Sequence, residues 1–343
     1  MKLINKVLTG MALTAMTATA AQASTLEDVR AADEVRCIVS TGTIGFSSVD
    51  ANGRFEGFDV DFCRAVAAAV LGDGDKVKFV PASSAVRFTV LASGEADILF
   101  RNTTETMSRD AGLQMTFLPV TYYDGQGFLA PADLGVTSAL ELDGASVCIQ
   151  TGTTTELNLA DFFRTNGMSY EPVPVKDFDE SVANYAAGRC DVLTTDASAL
   201  ASTKAVMADP SAHMVFPEII SKEPLGGAVR HGDDQWADIG KWVVSALINA
   251  EEMGITQKNV KNLAASSDNT DPSINRLLGS GDAADFGAQI GLGKEWARNA
   301  IMAVGNYGEI FERNVGVNTG LGLQRGTNAL WTDGGILYAA PIR

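Results

Sequence analysis

Cys37-Ile38-Val39-Ser40-Thr41-Gly42-Thr43 is answered by Cys148-Ile149-Gln150-Thr151-Gly152-Thr153 about 110 residues further on, and the reading of that pair decides the fold. Each string is a short apolar strand running into a turn of small residues. A second echo follows in the same order: Ala92-Ser93-Gly94-Glu95-Ala96-Asp97-Ile98-Leu99, then Ala187-Gly188-Arg189-Cys190-Asp191-Val192-Leu193, each a helix end with its terminating glycine leading into a buried strand. Both copies then break into polar loops, Asn102-Thr103-Thr104 in the first and Thr194-Thr195-Asp196 in the second. Short strand-loop strings recur by chance in α/β proteins, but agreement in order, spacing and polar endings favours a repeated unit. The expected fold class is α/β, with two doubly wound lobes. Open α/β sheets take ligands beyond the carboxyl ends of their strands, so two such lobes face to face make a cleft lined by four polar loops.

Outward from these strings, the first copy reads as βαβαβ with right-handed crossovers. A strand over 35–40 precedes Gly57-Phe58-Asp59-Val60-Asp61-Phe62, a helix start with two carboxylates at its positive end. Phe58, Phe62, Ala65, Val66, Ala69 and Val70 share one helical face, and Gly72 ends the helix. A strand over 77–80, a helix over 84–92 and a strand over 97–100 complete the unit. The second copy repeats the pattern, with strands over 146–150, 172–175 and 191–195 and helices over 154–165, 179–187 and 197–208. Tyr122-Tyr123-Asp124-Gly125-Gln126-Gly127 reads as the first crossing between lobes, and Glu223-Pro224-Leu225-Gly226-Gly227 as the return. After Asp233 the chain is mostly helical, with an apolar stripe of Trp236, Ile239, Trp242, Val243, Ala246 and Leu247 and a Gly-rich end. The expected division is residues 24–125 with 226–343 as lobe 1 plus a helical C-terminal extension, 126–225 as lobe 2, and a two-strand hinge between them.

The first 23 residues read as a secretion signal: Lys2 and Lys6, an apolar run, then Ala21-Gln22-Ala23 as a cleavage site. The run is dotted with Thr and is shorter than the roughly 20 apolar residues of a spanning helix. Removing the segment and its two lysines takes the net charge from −16 to −18, which disfavours nucleic acid and anionic membrane surfaces as partners. Four cysteines in an exported chain allow three disulfide pairings, and position favours one bridge per lobe, Cys37 with Cys63 and Cys148 with Cys190. A metal site is the alternative. No two cysteines have C-x-x-C spacing and the histidines are only His213 and His231, so no metal or cofactor is expected.

The candidate chemistry sits in the polar loops. Arg109, after the third strand of lobe 1 and beside hydroxyl and amide side chains, suits bidentate capture of a carboxylate; most arginines are instead solvated, and placement is what distinguishes this one. Thr153 and Glu156 have the spacing of a capping box, which is a purely structural role, while the same helix start offers free N–H groups to an anion. Asp196 either caps the helix it precedes or offers a carboxylate to an ammonium group in the cleft. Phe46, just past the first turn, covers an apolar side of a ligand or lies in the core. Gly-x-Ser-x-Gly and Gly-x-x-x-x-Gly-Lys are missing, which leaves binding ahead of catalysis.

These residues resemble the periplasmic solute-binding proteins of ABC importers for polar amino acids, bacterial solute-binding protein family 3. Gly57-Phe58-Asp59-Val60-Asp61 is similar to that family's Gly-Phe-Asp-hydrophobic-Asp signature, Gln150-Thr151-Gly152-Thr153-Thr154 to its helix start, and Gly188-Arg189-Cys190-Asp191 through Asp196 to its Gly-Arg-x-Asp strand and ligand-anchoring aspartate. Arg101-Asn102-Thr103-Thr104 with Ser108-Arg109, Lys222 to Gly226, Val304 to Glu309 and Asn328-Ala329-Leu330-Trp331 resemble its general L-amino-acid branch. The resemblance implies that Arg109 with Asn102 and Thr104 holds an α-carboxylate, helped by Thr153 and Thr154, and that Asp196 holds the α-ammonium. It also implies a monomer in the periplasm that delivers its ligand to a membrane permease. Glu105 departs from the branch, where this position is usually aromatic, and is expected to alter which side chains are accepted. Two alternatives share the scaffold: an exported enzyme of the cyclohexadienyl dehydratase type, for which Glu105 is the one candidate acid or base, and an amino-acid chemosensory subunit.

Overall fold

The computed structural model describes residues 24–40, 42–266 and 271–343; the signal segment expected over 1–23 lies outside them. Lobe 1 opens with α1 (Thr25–Ala32), β1 (Val35–Val39), the small hairpin β2 (Ser48–Val49) and β3 (Phe55–Glu56), and α2 (Phe58–Leu71). It continues through β4 (Val77–Pro81), α3 (Arg87–Ala92), β5 (Ile98–Leu99) and β6 (Met115–Asp124). Lobe 2 comprises β7 (Gln126–Pro131), β8 (Ser146–Gln150), α4 (Thr154–Thr165), β9 (Glu171–Val175), α5 (Phe178–Ala186), β10 (Val192–Asp196), α6 (Ala197–Ala205) and β11 (His213–Val215). The chain returns through β12 (Glu223–Arg230) to α7 (Asp234–Glu252), α8 (Val260–Ala265), α9 (Pro272–Leu278), α10 (Trp296–Val304) and α11 (Tyr307–Asn314).

Each lobe holds a five-stranded sheet, ordered β4-β1-β5-β12-β6 in lobe 1 and β11-β7-β10-β8-β9 in lobe 2. The βαβαβ strands are parallel, as the repeated strings predict: β1 with β4 and β5, and β8 with β9 and β10. The strands attached to the crossings arrive from the other lobe, so β12 runs antiparallel to β5 and β7 antiparallel to β10. The first crossing is made at Gly125, where a side chain would collide with that of Ile219 and lie 2.8 Å from the Ser221 carbonyl on the returning segment. Glu223 is paired with Asp124 at the start of β12, the strand that carries the expected boundary at 226.

The apolar face predicted for α2 is in the core: Phe58, Phe62, Ala65 and Val66 are fully buried, and α10 packs across the helix. On α7, Trp236, Ile239, Val243, Ala246 and Leu247 are buried, while Trp242 is only partly covered. The disulfides stay within lobes. Cys37 bonds Cys63 and ties β1 to α2; Cys148 bonds Cys190 and ties β8 to the head of β10, its neighbour in the sheet. The C-terminal extension closes the exposed edge of lobe 1. Asn328 accepts the Tyr123 N–H at 2.6 Å and donates to the Tyr123 carbonyl at 3.1 Å, pairing the backbone of edge strand β6 beside the crossing. Arg325, which packs over Tyr307 and Phe311, anchors this segment to Glu251 at 2.8 Å.

Candidate functional site

The lobes close on a polar cavity at the carboxyl ends of their parallel strands. Lobe 1 contributes Thr43, Ser84, Arg87, Arg101, Asn102, Thr104 and Arg109, and lobe 2 contributes Gln150, Thr153, Thr154, Thr155, Phe178, Thr195, Asp196 and Ala199. The lobes touch around it: a side chain at Gly152 would lie 3.4 Å from the Ala85 backbone, and the Thr104 and Thr154 hydroxyls are 3.5 Å apart.

Six of the seven residues picked from sequence line this cavity; Phe46 does not. Its ring is fully buried in lobe 1, 5.3 Å from Tyr122 and 5.8 Å from Phe58, so the core is where it lies. Glu105 is also outside the lining and is exposed. Its backbone N–H donates to the Pro224 carbonyl, and partial desolvation at the base of this exposed side chain, with neighbouring Asp110, raises its carboxyl. Glu105 therefore stands outside the residues that line this cavity.

Asp59, from the glycine-led start of α2, builds the lobe 1 wall. Its carboxylate accepts the Asn102 N–H at 2.9 Å and holds Asn102 at φ +37°, left-handed backbone that non-glycine residues rarely adopt. Burial pushes the Asp59 carboxyl up to about 7, against the pull of nearby Arg101. Both ends of the Asn102 amide are buried without a partner among the described residues. Arg109, 7% exposed, donates to the Thr104 carbonyl at 2.8 Å; burial lowers it from the usual guanidinium range while Glu223 and Asp196 act the other way.

In the sequence, Arg87 has no role beyond that of an ordinary helix residue, and Arg101 enters only as part of the Arg101-Asn102-Thr103-Thr104 motif, without a binding role. Arg101 donates its Nε–H to the Ala82 carbonyl at 2.9 Å, and burial lowers it to about 10. Arg87 is 2% exposed and its Nε has no hydrogen-bond partner among the described residues. Burial brings it well below the usual range, and Arg101 and Arg109 add to the effect. Its guanidinium rests on Phe88, which also carries Arg109. The helix expected from Ser84 starts at Arg87.

In lobe 2, Thr153 accepts the Glu156 N–H and donates to the Gln150 carbonyl at 2.7 Å, so its hydroxyl is committed to capping α4. The capping box is not reciprocal, because the Glu156 carboxylate turns to the Gly152 N–H. Asp196 makes no cap to α6. Asp124 does that work from the hinge, reaching the Ser198 N–H at 3.4 Å, and leaves Asp196 facing the cavity. Burial, Asp124 and Glu223 push the Asp196 carboxyl well above its ordinary value. Three largely buried guanidinium groups and one carboxylate thus line the cavity, an arrangement matched by a zwitterion carrying a further anionic or hydrogen-bonding group.

No cluster of His, Cys, Asp or Glu suited to a metal ion occurs among the described residues. His213 meets the Tyr185 hydroxyl at 2.7 Å and His231 lies near Asp110, both away from the cavity. The same two-lobed arrangement is found in a solved Brucella ovis protein described as an ABC transporter/periplasmic binding protein with glutathione bound, 51% identical, with a TM-score of 0.90 over 94% of this chain and all of that one. The pattern of the bacterial extracellular solute-binding proteins, family 3, matches residues 35–259. The chain belongs to that family. Among family 3 relatives, it is 56% identical over 97% of both chains to the general L-amino acid-binding periplasmic protein AapJ of Rhizobium johnstonii. It is 55% identical, again over 97% of each, to the glutamate/glutamine/aspartate/asparagine-binding protein BztA of Rhodobacter capsulatus. No helix among the described residues of this solute-binding protein is long and apolar enough to cross a membrane.

Proposed function

We propose that the protein binds L-amino acids in the cleft, in the periplasm, and delivers them to the membrane permease of an ABC importer. The observation that carries this reading is the opposition of Arg109 and Asp196 across the cavity, with the Asp196 carboxylate released from helix capping by Asp124. A free amino acid brings one carboxylate and one ammonium into that space, and both must be paired on dehydration. The names of the relatives support amino-acid import over catalysis.

Arg87 narrows the ligand class. A buried guanidinium whose Nε is unpaired asks for an anionic or hydrogen-bonding partner, so acidic amino acids and their amides are the proposed preferred ligands, as the name of the Rhodobacter relative also suggests. The glutathione in the Brucella structure carries a free α-amino and α-carboxyl group on its glutamyl end, which the same clamp would receive. Isothermal titration of ligand-stripped protein with the twenty amino acids, glutathione and cyclohexadienyl acids tests the reading. Binding led by glutamate, glutamine, aspartate and asparagine is expected; binding of the cyclohexadienyl acids alone would overturn it.

A further inference from the structure

Behind the cavity wall, at the first residue of β12, lies a carboxylate with no role in the clamp described above. Glu223 is 1% exposed and accepts four hydrogen bonds. Its Oε2 receives the Thr104 hydroxyl at 2.5 Å and the Thr154 hydroxyl at 2.9 Å. Its Oε1 receives the Asn158 amide at 2.7 Å and the Ser221 hydroxyl at 2.6 Å. Thr104 belongs to the lobe 1 loop, Thr154 and Asn158 to the first turns of α4 in lobe 2, and Glu223 itself to the hinge. One side chain therefore gathers donors from both lobes and from the segment on which they turn.

We propose that Glu223 is a positioning residue that couples cleft closure to recognition of the ligand's α-ammonium. A threonine hydroxyl has one proton and two lone pairs. With the protons of Thr104 and Thr154 given to Oε2, both hydroxyls keep only lone pairs for the cavity they line, which suits an ammonium donor and not a carboxylate. This divides the roles that the family resemblance assigned to these threonines: their side chains go with Asp196 to the ammonium, and the carboxylate is left to Arg109, Asn102 and backbone N–H groups. Opening the cleft carries Thr154 and Asn158 away with lobe 2 and leaves Glu223 with Thr104 and Ser221. Closure restores two charge-assisted hydrogen bonds without touching the side chain of the ligand.

The inference rests on the amino-acid-binding reading, and a double-mutant cycle separates the two. Parent, E223Q, T154V and E223Q/T154V are titrated calorimetrically with L-glutamate and L-glutamine, with ligand-free circular dichroism to confirm folding. Each single substitution should weaken both amino acids by the same factor, about 10- to 100-fold, the loss carried by a hydrogen bond to a charged group. The double variant should be no weaker than the worse single one, because Glu223 acts through Thr154. T104V gives the same test from lobe 1 with the carboxylate intact. The proposal is overturned if E223Q binds within about threefold of the parent, if the two losses multiply in the double variant, or if T104V and T154V both bind like the parent. A parent that binds no amino acid at all would remove the functional reading itself, whatever the variants do.

Discussion

Asp196→Asn separates a binding carboxylate from a structural one. Asp196 ends β10 directly before α6, where an N-cap is the ordinary role, but the helix start is served by Asp124 and the amide substitution removes no cap bond. The ligand-free protein should therefore keep its fold, and its stability should rise. Because burial beside Asp124 and Glu223 raises the Asp196 carboxyl, the folded protein holds that proton more tightly than the unfolded chain does. Asp196 thus subtracts stability as pH climbs from about 4 through its raised value, and asparagine does not. On the binding side, removing one partner of a buried charge pair costs about 2–5 kcal/mol, or roughly 30- to 5,000-fold in affinity. The loss should be the same for glutamate, glutamine and alanine, since the ammonium is common to all. Calorimetric titration with the three ligands, paired with thermal unfolding of ligand-free protein at pH 5 and 7, provides the measurement. Affinity within about threefold of the parent, or a loss confined to one ligand, would refute the clamp.

Other perturbations probe the remaining features. Arg87→Met should weaken glutamate and aspartate by about 10- to 100-fold while sparing alanine, and should raise ligand-free stability, because it removes a buried guanidinium whose Nε is unpaired; equal losses for all ligands would place Arg87 on the main chain instead. The disulfides close sequence separations of 26 and 42 residues, so loop-closure entropy gives about 3.5 and about 4 kcal/mol; paired Cys→Ser variants should lower the unfolding midpoint accordingly, and peptide maps without reduction should recover each bridge within its lobe. Small-angle scattering should show a more compact particle on adding glutamate, as the two crossings at Gly125 and Glu223 allow the lobes to close; an unchanged profile at saturation would count against hinge motion.

The parts of this molecule legible in sequence are those fixed by neighbours in the chain. A buried parallel strand must be apolar and a helix end favours glycine, so the repeated strings revealed both lobes, and the adjacency of β8 and β10 followed from the βαβαβ order, which also paired Cys148 with Cys190. Loops at the carboxyl ends of those strands located Asn102, Thr104, Arg109, Thr153, Thr154 and Asp196 at the cavity. Phe46 carried the same local signal, an aromatic just past a strand, but the rings that surround it, Phe58 and Tyr122, come from elsewhere in the chain. Arg87 and Arg101 gain their meaning from burial beside each other and Arg109, and Glu223 from donors spread between Thr104 and Ser221. Asp196 shows why local pattern cannot go further. Its sequence context is that of an N-cap, and nothing near it says otherwise; the decision is made by Asp124, which comes from the opposite end of the first crossing and takes over the helix start. Only a fold that brings a second carboxylate to the same helix can leave the first one free for a ligand.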